Sequence, residues 1–441
     1  AASREKLLTA NFTMNDTQIL VTCMPSSIND FPKDLFTQEE RMAGGIAIHV
    51  AVIVYMCGVM GIVCDRYFVP SLEITRKYLN LSSDVAGATL MAIGTSAPEL
   101  FSSVIGSFIT EGDIGVGTIV GSAVFNILGV AALIGLAVGR KSLKIDWFPI
   151  SRDCIVYMMS VTLLVITVAD NYVSGLEAVI LLSFYAVYVT VMVFNTRLER
   201  AAHRGVVRLS TKMGITENTA LLDTNQRQID PAEDAQFPSS IFKVPDGGLW
   251  AVVAWLLFLP ANIILACMIP DVRGKLRCLF PLTFLLSIIC IGVSSYITVW
   301  MVTVTGYTLG LPDTIAGLTI LAAGTSVPEV FASMLVAKSG QGNMALCNLL
   351  GSNIFDILFC LGAPWLAKII IANRRIVIQS AALAYTSVTL LTTVVLFFTT
   401  LLCMKWKVNY KTGIICLALY SIFIALACFY EFFVFGFGIP C

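Results

Sequence analysis

The sequence predicts an all-α polytopic membrane protein with about ten transmembrane helices in two inverted-topology repeats of five. Three observations lead to this prediction. Of the 441 residues, 57% are hydrophobic and only 13% are charged, and the mean hydropathy is +0.85. Apolar runs of bilayer length recur along the chain. One polar sequence of ten residues occurs in both halves, each time inside such a run.

A polar tail over residues 1–44 precedes the first apolar segment. The patterns Asn11-Phe12-Thr13 and Asn15-Asp16-Thr17 predict glycosylation at Asn11 and Asn15 if this tail is extracellular. Cys23 in the tail and Cys441 at the end of the chain could form a disulfide if both termini lie outside.

The first half contains five apolar segments and forms the predicted first repeat, 45–195, whose site helices lie within 85–138. The connections after the first and third segments carry several Lys and Arg residues, whereas those at 110–114 and 170–173 carry only acids. By the positive-inside rule, the N-terminus therefore lies outside. The five segments are 45–67, 85–109, 115–138, 153–170 and 174–195.

The second half has six apolar segments, one more than the first. Segment 249–268 is short, contains Trp250 and Trp255, and is interrupted by Pro260. It is therefore predicted to be an interfacial or half-inserted helix within a cytoplasmic loop, 196–278, and the alternative is an eleventh span. The other segments are 279–304, 312–337, 343–367, 378–403 and 411–435.

Without segment 249–268, the second repeat, 279–441, enters the membrane in the opposite sense to the first, with its site helices within 312–367. One connection disagrees with the charge rule. Lys368, Arg374 and Arg375 lie in a connection that this topology places outside, although positive charges are usually enriched on the cytoplasmic side.

The duplicated stretch reads Gly-Thr-Ser-Ala-Pro-Glu-Leu-Phe-Ser-Ser at 94–103 and Gly-Thr-Ser-Val-Pro-Glu-Val-Phe-Ala-Ser at 324–333. A carboxylate at the centre of a bilayer costs about 3 kcal/mol or more, so Glu99 and Glu329 are candidate functional residues. Paired repeats with Gly- and Pro-interrupted helices indicate the midplane binding site of a secondary transporter.

The same offset of 230 residues aligns the next helices, with 121–126 matching 351–356. Ser122 and Asn126, and likewise Ser352 and Asp356, are four residues apart and therefore share a helix face. Because Asp356 matches the neutral Asn126, the site is asymmetric by one negative charge. Together with the two glutamates, Asp356 supplies three negative charges, enough for one divalent and one monovalent cation.

The turn chemistry also suits a hard cation. Thr95, Ser96 and Glu99 lie on one helix face, and Pro98 cannot donate a hydrogen bond to the carbonyl of Gly94. Pro328 has the same effect at Gly324. Hydroxyl, carboxylate and freed carbonyl oxygens are the ligands that calcium prefers.

At Gly94–Glu99, Gly117–Leu128 and Gly351–Asp356 the chain resembles the cation/calcium exchanger superfamily, most closely its potassium-dependent sodium/calcium exchangers. The resemblance implies ten spanning helices, alternating access, and exchange of sodium for calcium together with potassium, mainly as calcium extrusion. It places the protein in a membrane with its N-terminus outside, either the plasma membrane or an intracellular membrane.

The resemblance also implies residue roles. Glu99 and Glu329 match central calcium ligands, Thr95 and Thr325 match positions that supply main-chain oxygens, and Asp356 matches the acid linked to potassium dependence. Sodium-binding positions carry over to Ser96, Ser122, Asn126, Ser326, Ser352 and Asp356. Family members usually have Asp where this chain has Glu329, so the additional methylene is a departure from the pattern.

Other classes fit the sequence less well. Two histidines and no Cys-x-x-Cys pair argue against zinc and haem sites. We expect no cofactor, no enzymatic activity and no nucleic-acid partner, and the predicted partners are inorganic cations and the lipid bilayer. A potassium-independent or calcium/proton exchanger on the same scaffold is the alternative. An aspartic-protease dyad would require two close aspartates.

Overall fold

The computed structural model describes residues 9–14, 17–22, 27–78, 95–110, 114–139, 142–193, 248–273, 277–338, 342–378 and 382–431. The helices in these ranges are α1 (Gln38–Phe68), α2 (Val69–Tyr78), α3 (Ala97–Ile105), α4 (Ile114–Val138), α5 (Trp147–Val168), α6 (Gly175–Val193), α7 (Leu249–Met268), α8 (Phe280–Leu309), α9 (Thr314–Thr325), α10 (Val327–Lys338), α11 (Gly342–Phe355), α12 (Gly362–Ala372), α13 (Ala382–Cys403) and α14 (Tyr410–Phe429).

The chain is an all-α membrane protein, as its composition predicts. Within the described residues, eight helices are long and apolar enough to cross a bilayer. The polar tail adds a feature that was not predicted, an antiparallel hairpin of β1 (Thr9–Met14) and β2 (Thr17–Thr22). Alternating β-prone residues on both sides of Asn15-Asp16 are the sequence signal for such a hairpin.

Two short strand pairs join the halves of the chain and show how they are related. β3 (Leu143–Lys144) pairs with β6 (Lys407–Val408), and β4 (Tyr172–Val173) pairs with β5 (Ile376–Val377). β3 and β4 are separated by α5, a helix of 22 residues and therefore about 33 Å long, so the two pairs lie at opposite ends of the helices.

An offset of 230 residues places β3 near β5 and β4 near β6. β3 thus pairs with the counterpart of β4, and β4 pairs with the counterpart of β3, an arrangement consistent with inverted repeats. It also places the connection with Arg374 and Arg375 at the same end as the acid-only connection 170–173, where the topology predicted it despite its charge.

The longest helix pair is α1 with α8, which run antiparallel: Phe68 stacks on Phe284, and Ser295 lies 3.3 Å from the sulfur of Met60. Both helices expose much of their surface, whereas α4 is mostly buried. The pair therefore lies at the side of a more deeply buried core.

Helix α7 corrects one sequence interpretation. We expected Pro260 to interrupt segment 249–268, but Leu249–Met268 forms one continuous helix with Pro260 inside it. The ring of Phe258 stacks on Tyr55, and Leu265 packs in the cluster around Val63, so α7 lies along α1. Whether α7 crosses the bilayer or lies at its surface stays a prediction.

Before α1, the chain folds over one end of the α1–α8 pair. Phe31 contacts Tyr296, and one carboxylate oxygen of Asp34 lies 3.0 Å from both Arg41 and the His49 ring. Burial alone would raise the pKa of Asp34, but the hydrogen bonds from His49 and Arg41 outweigh burial and lower this pKa below its ordinary value of 3.8. The segment is therefore fixed to α1 by a partly buried carboxylate that contacts two buried side chains of α1, Arg41 and His49.

Candidate cation-binding site

The two duplicated stretches form matching breaks in their helices. Ser96 precedes α3 with φ −94° and ψ 15°, and Ser326 separates α9 from α10 with φ −81° and ψ 9°. In each case a proline follows two residues later, and because it has no N–H group, the preceding turn cannot continue a regular helical hydrogen-bond pattern. Gly94 lies outside the described residues.

The breaks bring each serine to the glutamate of the other repeat. The Ser96 hydroxyl donates to Glu329 Oε1 over 3.3 Å, and the Ser326 hydroxyl donates to Glu99 Oε1 over 3.2 Å. Both glutamates and both serines are completely buried. The two stretches therefore form one site in which the repeats are linked crosswise.

Each acid also keeps a buried oxygen that lacks a hydrogen-bond partner among the described residues. The remaining oxygens Glu99 Oε2, Glu329 Oε2 and Asp356 Oδ2 are all of this kind, as are the hydroxyls of Ser103 and Ser333. Buried polar atoms are normally satisfied. These orphaned acceptors therefore suit a positively charged ligand.

The helices that follow the two stretches, α4 and α11, contribute a second layer of polar side chains beside the glutamates. Both change to a π-helical turn at the matching position, over Phe125–Val130 and Asp356–Cys360. Such turns are frequent at functional sites. The Ser122 hydroxyl donates to the carbonyl of Ile119 and the Ser352 hydroxyl to that of Leu349, each over 3.1 Å.

A buried amide network fixes the orientation of Asn126. Its Nδ2 donates to Asn353 Oδ1 over 3.1 Å, and the amide of Asn353 donates to the carbonyl of Ala123 over 3.3 Å. The nitrogen of Asn126 is used in this bond, and its Oδ1 has no hydrogen-bond partner in the part of the chain that the structure describes. Asn126 thus presents an acceptor oxygen at the position where the second repeat has Asp356.

The remaining predicted residues vary in their placement. Thr95 and Thr325 are buried immediately before the two serines, and the Thr325 hydroxyl donates to the carbonyl of Ala322 over 3.3 Å. Asn11 lies in strand β1. Asn15, Cys23 and Cys441 lie outside the described residues, so the proposed glycosylation at Asn15 and the disulfide stay predictions.

Sequence reasoning missed two residues of this site. Asn353 replaces the Ala123 of the first repeat, and Cys360, whose thiol donates to Asp356 Oδ1 over 3.6 Å, replaces Val130. A residue-by-residue comparison of the repeats would have found both, because each exchanges an apolar residue for one that can hydrogen-bond. The arrangement gathers three acids, two amides and several hydroxyls in a buried space, which suits dehydrated metal cations.

Comparison with known proteins adds an independent result. The family described as "Sodium/calcium exchanger protein" matches residues 49–194 and 279–429. "Sodium/potassium/calcium exchanger 5" of Homo sapiens is 39% identical over 459 aligned positions, covering 96% of this chain and 90% of that protein. "Sodium/potassium/calcium exchanger 4" of Homo sapiens is 32% identical, with 96% and 88% covered.

A further relative is "Probable sodium/potassium/calcium exchanger CG1090" of Drosophila melanogaster, which is 32% identical with 95% of this chain and 85% of that protein covered. Among solved structures, the sodium-calcium exchanger NCX_Mj soaked with Na⁺ and Sr²⁺ covers 86% of this chain with 98% of its own length. Its sequence is 23% identical and the TM-score is 0.49.

Proposed function

Because this chain belongs to the sodium/calcium exchanger family, we propose that it is a secondary active antiporter that exchanges sodium for calcium together with potassium. The relatives with the printed name "Sodium/potassium/calcium exchanger" support potassium as a co-transported ion. Sodium, calcium and potassium are then substrates, and mainly calcium is extruded.

The observation that carries this proposal is the crosswise pair of serines and glutamates with orphaned carboxylate oxygens. Glu99 and Glu329 bind calcium through Oε2, the atom that each leaves unpaired. Main-chain oxygens of Thr95 and Thr325 add neutral ligands. A hard divalent cation requires such a set of oxygens, and two carboxylates neutralise its charge.

Asp356 binds potassium in this proposal, and it also contributes to sodium binding. Sodium occupies positions formed by the hydroxyls of Ser96, Ser122, Ser326 and Ser352, and by the free oxygen of Asn126. These oxygens overlap with the calcium site, so sodium and calcium compete. Competition for one set of ligands is the physical basis of exchange.

The difference in burial between α4 and the α1–α8 pair supports alternating access in this proposal. The pair slides along the core and exposes the site to one side at a time. Switching is allowed when the three acids are neutralised by cations, because unpaired charges in a closed core cost several kcal/mol each. The movement of sodium in one direction is thereby coupled to the movement of calcium in the other.

The protein resides in the plasma membrane with residues 1–44 outside in this proposal, and residence in an intracellular membrane is the other arrangement. Glycosylation at Asn11 and Asn15 is consistent with an external tail. Glycosidase treatment of the cell-surface fraction, compared with an Asn11→Gln, Asn15→Gln variant, tests this location through a mass shift present only in the unmodified chain.

The decisive test is calcium flux in proteoliposomes in which sodium, potassium and proton gradients are varied separately. We expect calcium uptake to require sodium on the opposite side and potassium on the same side as calcium. Uptake that proceeds without potassium would reject the potassium part of the proposal. Uptake driven by a proton gradient without sodium would reject sodium exchange.

A further inference from the structure

The thiol of Cys360 lies next to the acid that distinguishes the two repeats. Cys360 follows Asp356 by four residues in the same π-helical turn, and its sulfur is 3.6 Å from Asp356 Oδ1. Both side chains are completely buried. The other oxygen of Asp356 has no partner among the described residues, so the carboxylate still accepts a ligand.

The repeat comparison shows that this acid and this thiol occur together in the second half only. The matching residues of the first repeat are Asn126 and Val130, which are also buried. At this matched position, the first repeat therefore presents an amide oxygen beside an apolar side chain, whereas the second presents a carboxylate beside a thiol.

The sulfur is also close enough to interact electrostatically with all three acids, Asp356, Glu99 and Glu329. Cys416 is an equally buried thiol in α14, and among the described residues it lies away from the three acids. The surroundings of Cys360 are thus negative, and a cation that reaches Asp356 meets a sulfur ligand in contact with it.

We propose that Cys360 and Asp356 form a binding position for thiophilic divalent cations, for which Cd²⁺ is the probe. Calcium takes oxygen ligands only, whereas a softer divalent ion gains from a thiolate. Binding replaces the thiol proton by the metal. Such an ion enters the site as a competitor of calcium, and the position rests on the function proposed above because it uses the same cavity.

The position is expected to be a site of exchange rather than a structural metal centre. Among the described residues, no three His, Cys, Asp or Glu side chains stand close enough to hold a metal together. One thiolate and one carboxylate are therefore supplemented by neutral oxygens. A shell with two charged protein ligands releases its ion more readily than a closed four-ligand site.

The first measurement is binding, independent of transport. Purified protein is titrated with CdCl₂, and the ultraviolet charge-transfer band of a cadmium–thiolate bond is recorded. Exposed Cys267, Cys278 and Cys403 also bind Cd²⁺, so we expect a band of equal size in the unmodified protein and in Cys416→Ser, and a band smaller by one thiolate in Cys360→Ser and in Cys360→Val, which installs the residue of the first repeat. A band of undiminished size in Cys360→Ser would overturn the proposal.

The second measurement is inhibition of sodium-driven calcium uptake by Cd²⁺ in proteoliposomes. We expect Cys360→Ser to raise the half-inhibitory Cd²⁺ concentration about 10-fold or more, the range typical of losing one group that supports a metal site. Cys416→Ser is expected to leave this concentration unchanged. Equal inhibition of the Cys360→Ser and unmodified proteins would overturn the proposal.

The two measurements separate this proposal from the exchange function. A thiolate band that shrinks in Cys360→Ser, without sodium-driven calcium uptake, retains the cadmium site and rejects the exchanger. Sodium-driven uptake with the same thiolate band in Cys360→Ser and the unmodified protein retains the exchanger and rejects the cadmium site. If Cys360→Ser lowers transport itself, the binding titration still decides, with gel-filtration profiles of both serine variants as the check on folding.

Discussion

The two Gly-Thr-Ser-x-Pro-Glu turns and the two helices that follow them differ in how far the duplicated halves have kept the same contacts. The turns have stayed alike: Ser96 and Ser326 make matching bonds of 3.3 and 3.2 Å to the opposite glutamates. The following helices have diverged, since Asn126 faces an amide network and its counterpart Asp356 faces a thiol.

This difference suggests separate roles for the symmetric layer, formed by the two turns, and the divergent layer, formed by the helices that follow them. In the proposed site, the symmetric pair of turns would give a divalent cation one carboxylate from each repeat, so neither repeat would be sufficient alone. A single change in the next layer then adds one negative charge on one side only. The shared turns are expected to determine whether calcium binds, and the divergent layer to determine which monovalent cation accompanies it.

Removal of either glutamate charge is the strongest test of the symmetric layer. We expect Glu99→Gln and Glu329→Gln each to abolish calcium uptake in proteoliposomes, a larger loss than the roughly 10–100-fold cost of removing a supporting group at a metal site. Glu39→Gln, at an exposed acid, is the control. Uptake near the normal rate in either buried variant would contradict the site.

An exchange of residues in the divergent layer tests the second role. We expect Asp356→Asn to retain sodium-driven calcium uptake but to lose its dependence on potassium, because the additional charge is gone. The reciprocal variant Asn126→Asp is expected to strengthen monovalent-cation binding. The measurement is the initial rate of calcium uptake as a function of potassium concentration, and an unchanged curve for Asp356→Asn would assign potassium elsewhere.

Two matched glycines distinguish the packing of the repeats. A Cβ atom on Gly121 would lie 2.2 Å from the carbonyl oxygen of Leu318, whereas one on Gly351 would approach nothing closer than 3.6 Å. We expect Gly121→Ala to lower the free energy of unfolding by about 1–3 kcal/mol through overpacking, and Gly351→Ala to have little effect. Thermal unfolding in detergent measures the difference, and equal midpoints would refute it.

Ser96 and Ser326 test whether the two turns contribute equally to calcium binding. We expect Ser96→Ala and Ser326→Ala to weaken calcium binding by similar factors, about 5-fold each, because each removes one hydrogen bond worth about 1 kcal/mol. The readout is the calcium concentration at half-maximal uptake. Factors that differ by more than about 10-fold would show that the two turns are not equivalent.

The smallest effect concerns Asp34, in the segment before α1, which has no counterpart in the second repeat. Because hydrogen bonds lower the pKa of Asp34 below 3.8, its stabilising contribution is present above that pH and is lost as the pH falls below it. We expect the difference in unfolding temperature between the unmodified protein and Asp34→Asn to be constant above pH 4 and to shrink in more acidic solution. A difference that persists at lower pH would remove Asp34 from this role.

The sequence alone predicted the membrane class and the pairing of Glu99 with Glu329, because intramembrane acids and a fixed offset of 230 residues are strong signals. It did not predict the crosswise hydrogen bonds, which depend on how two distant turns pack. The sequence predicted an interruption at Pro260, but the helix is continuous, because a proline can remain inside a helix when neighbouring helices support it. Cys360 was passed over as a core residue, which most buried cysteines are.

The β3–β6 and β4–β5 pairs also have a mechanical consequence. Each joins one repeat to the other at one end of the helices, so the two pairs clamp α5 and α13 to each other at both ends, whereas α4, α6, α12 and α14 each adjoin a strand pair at one end only. No described strand attaches α1 or α8 to this clamp. We therefore expect α5 and α13 to belong to the part of the transporter that stays fixed during transport, and spacer residues inserted beside β3 to loosen this part without altering any proposed cation ligand.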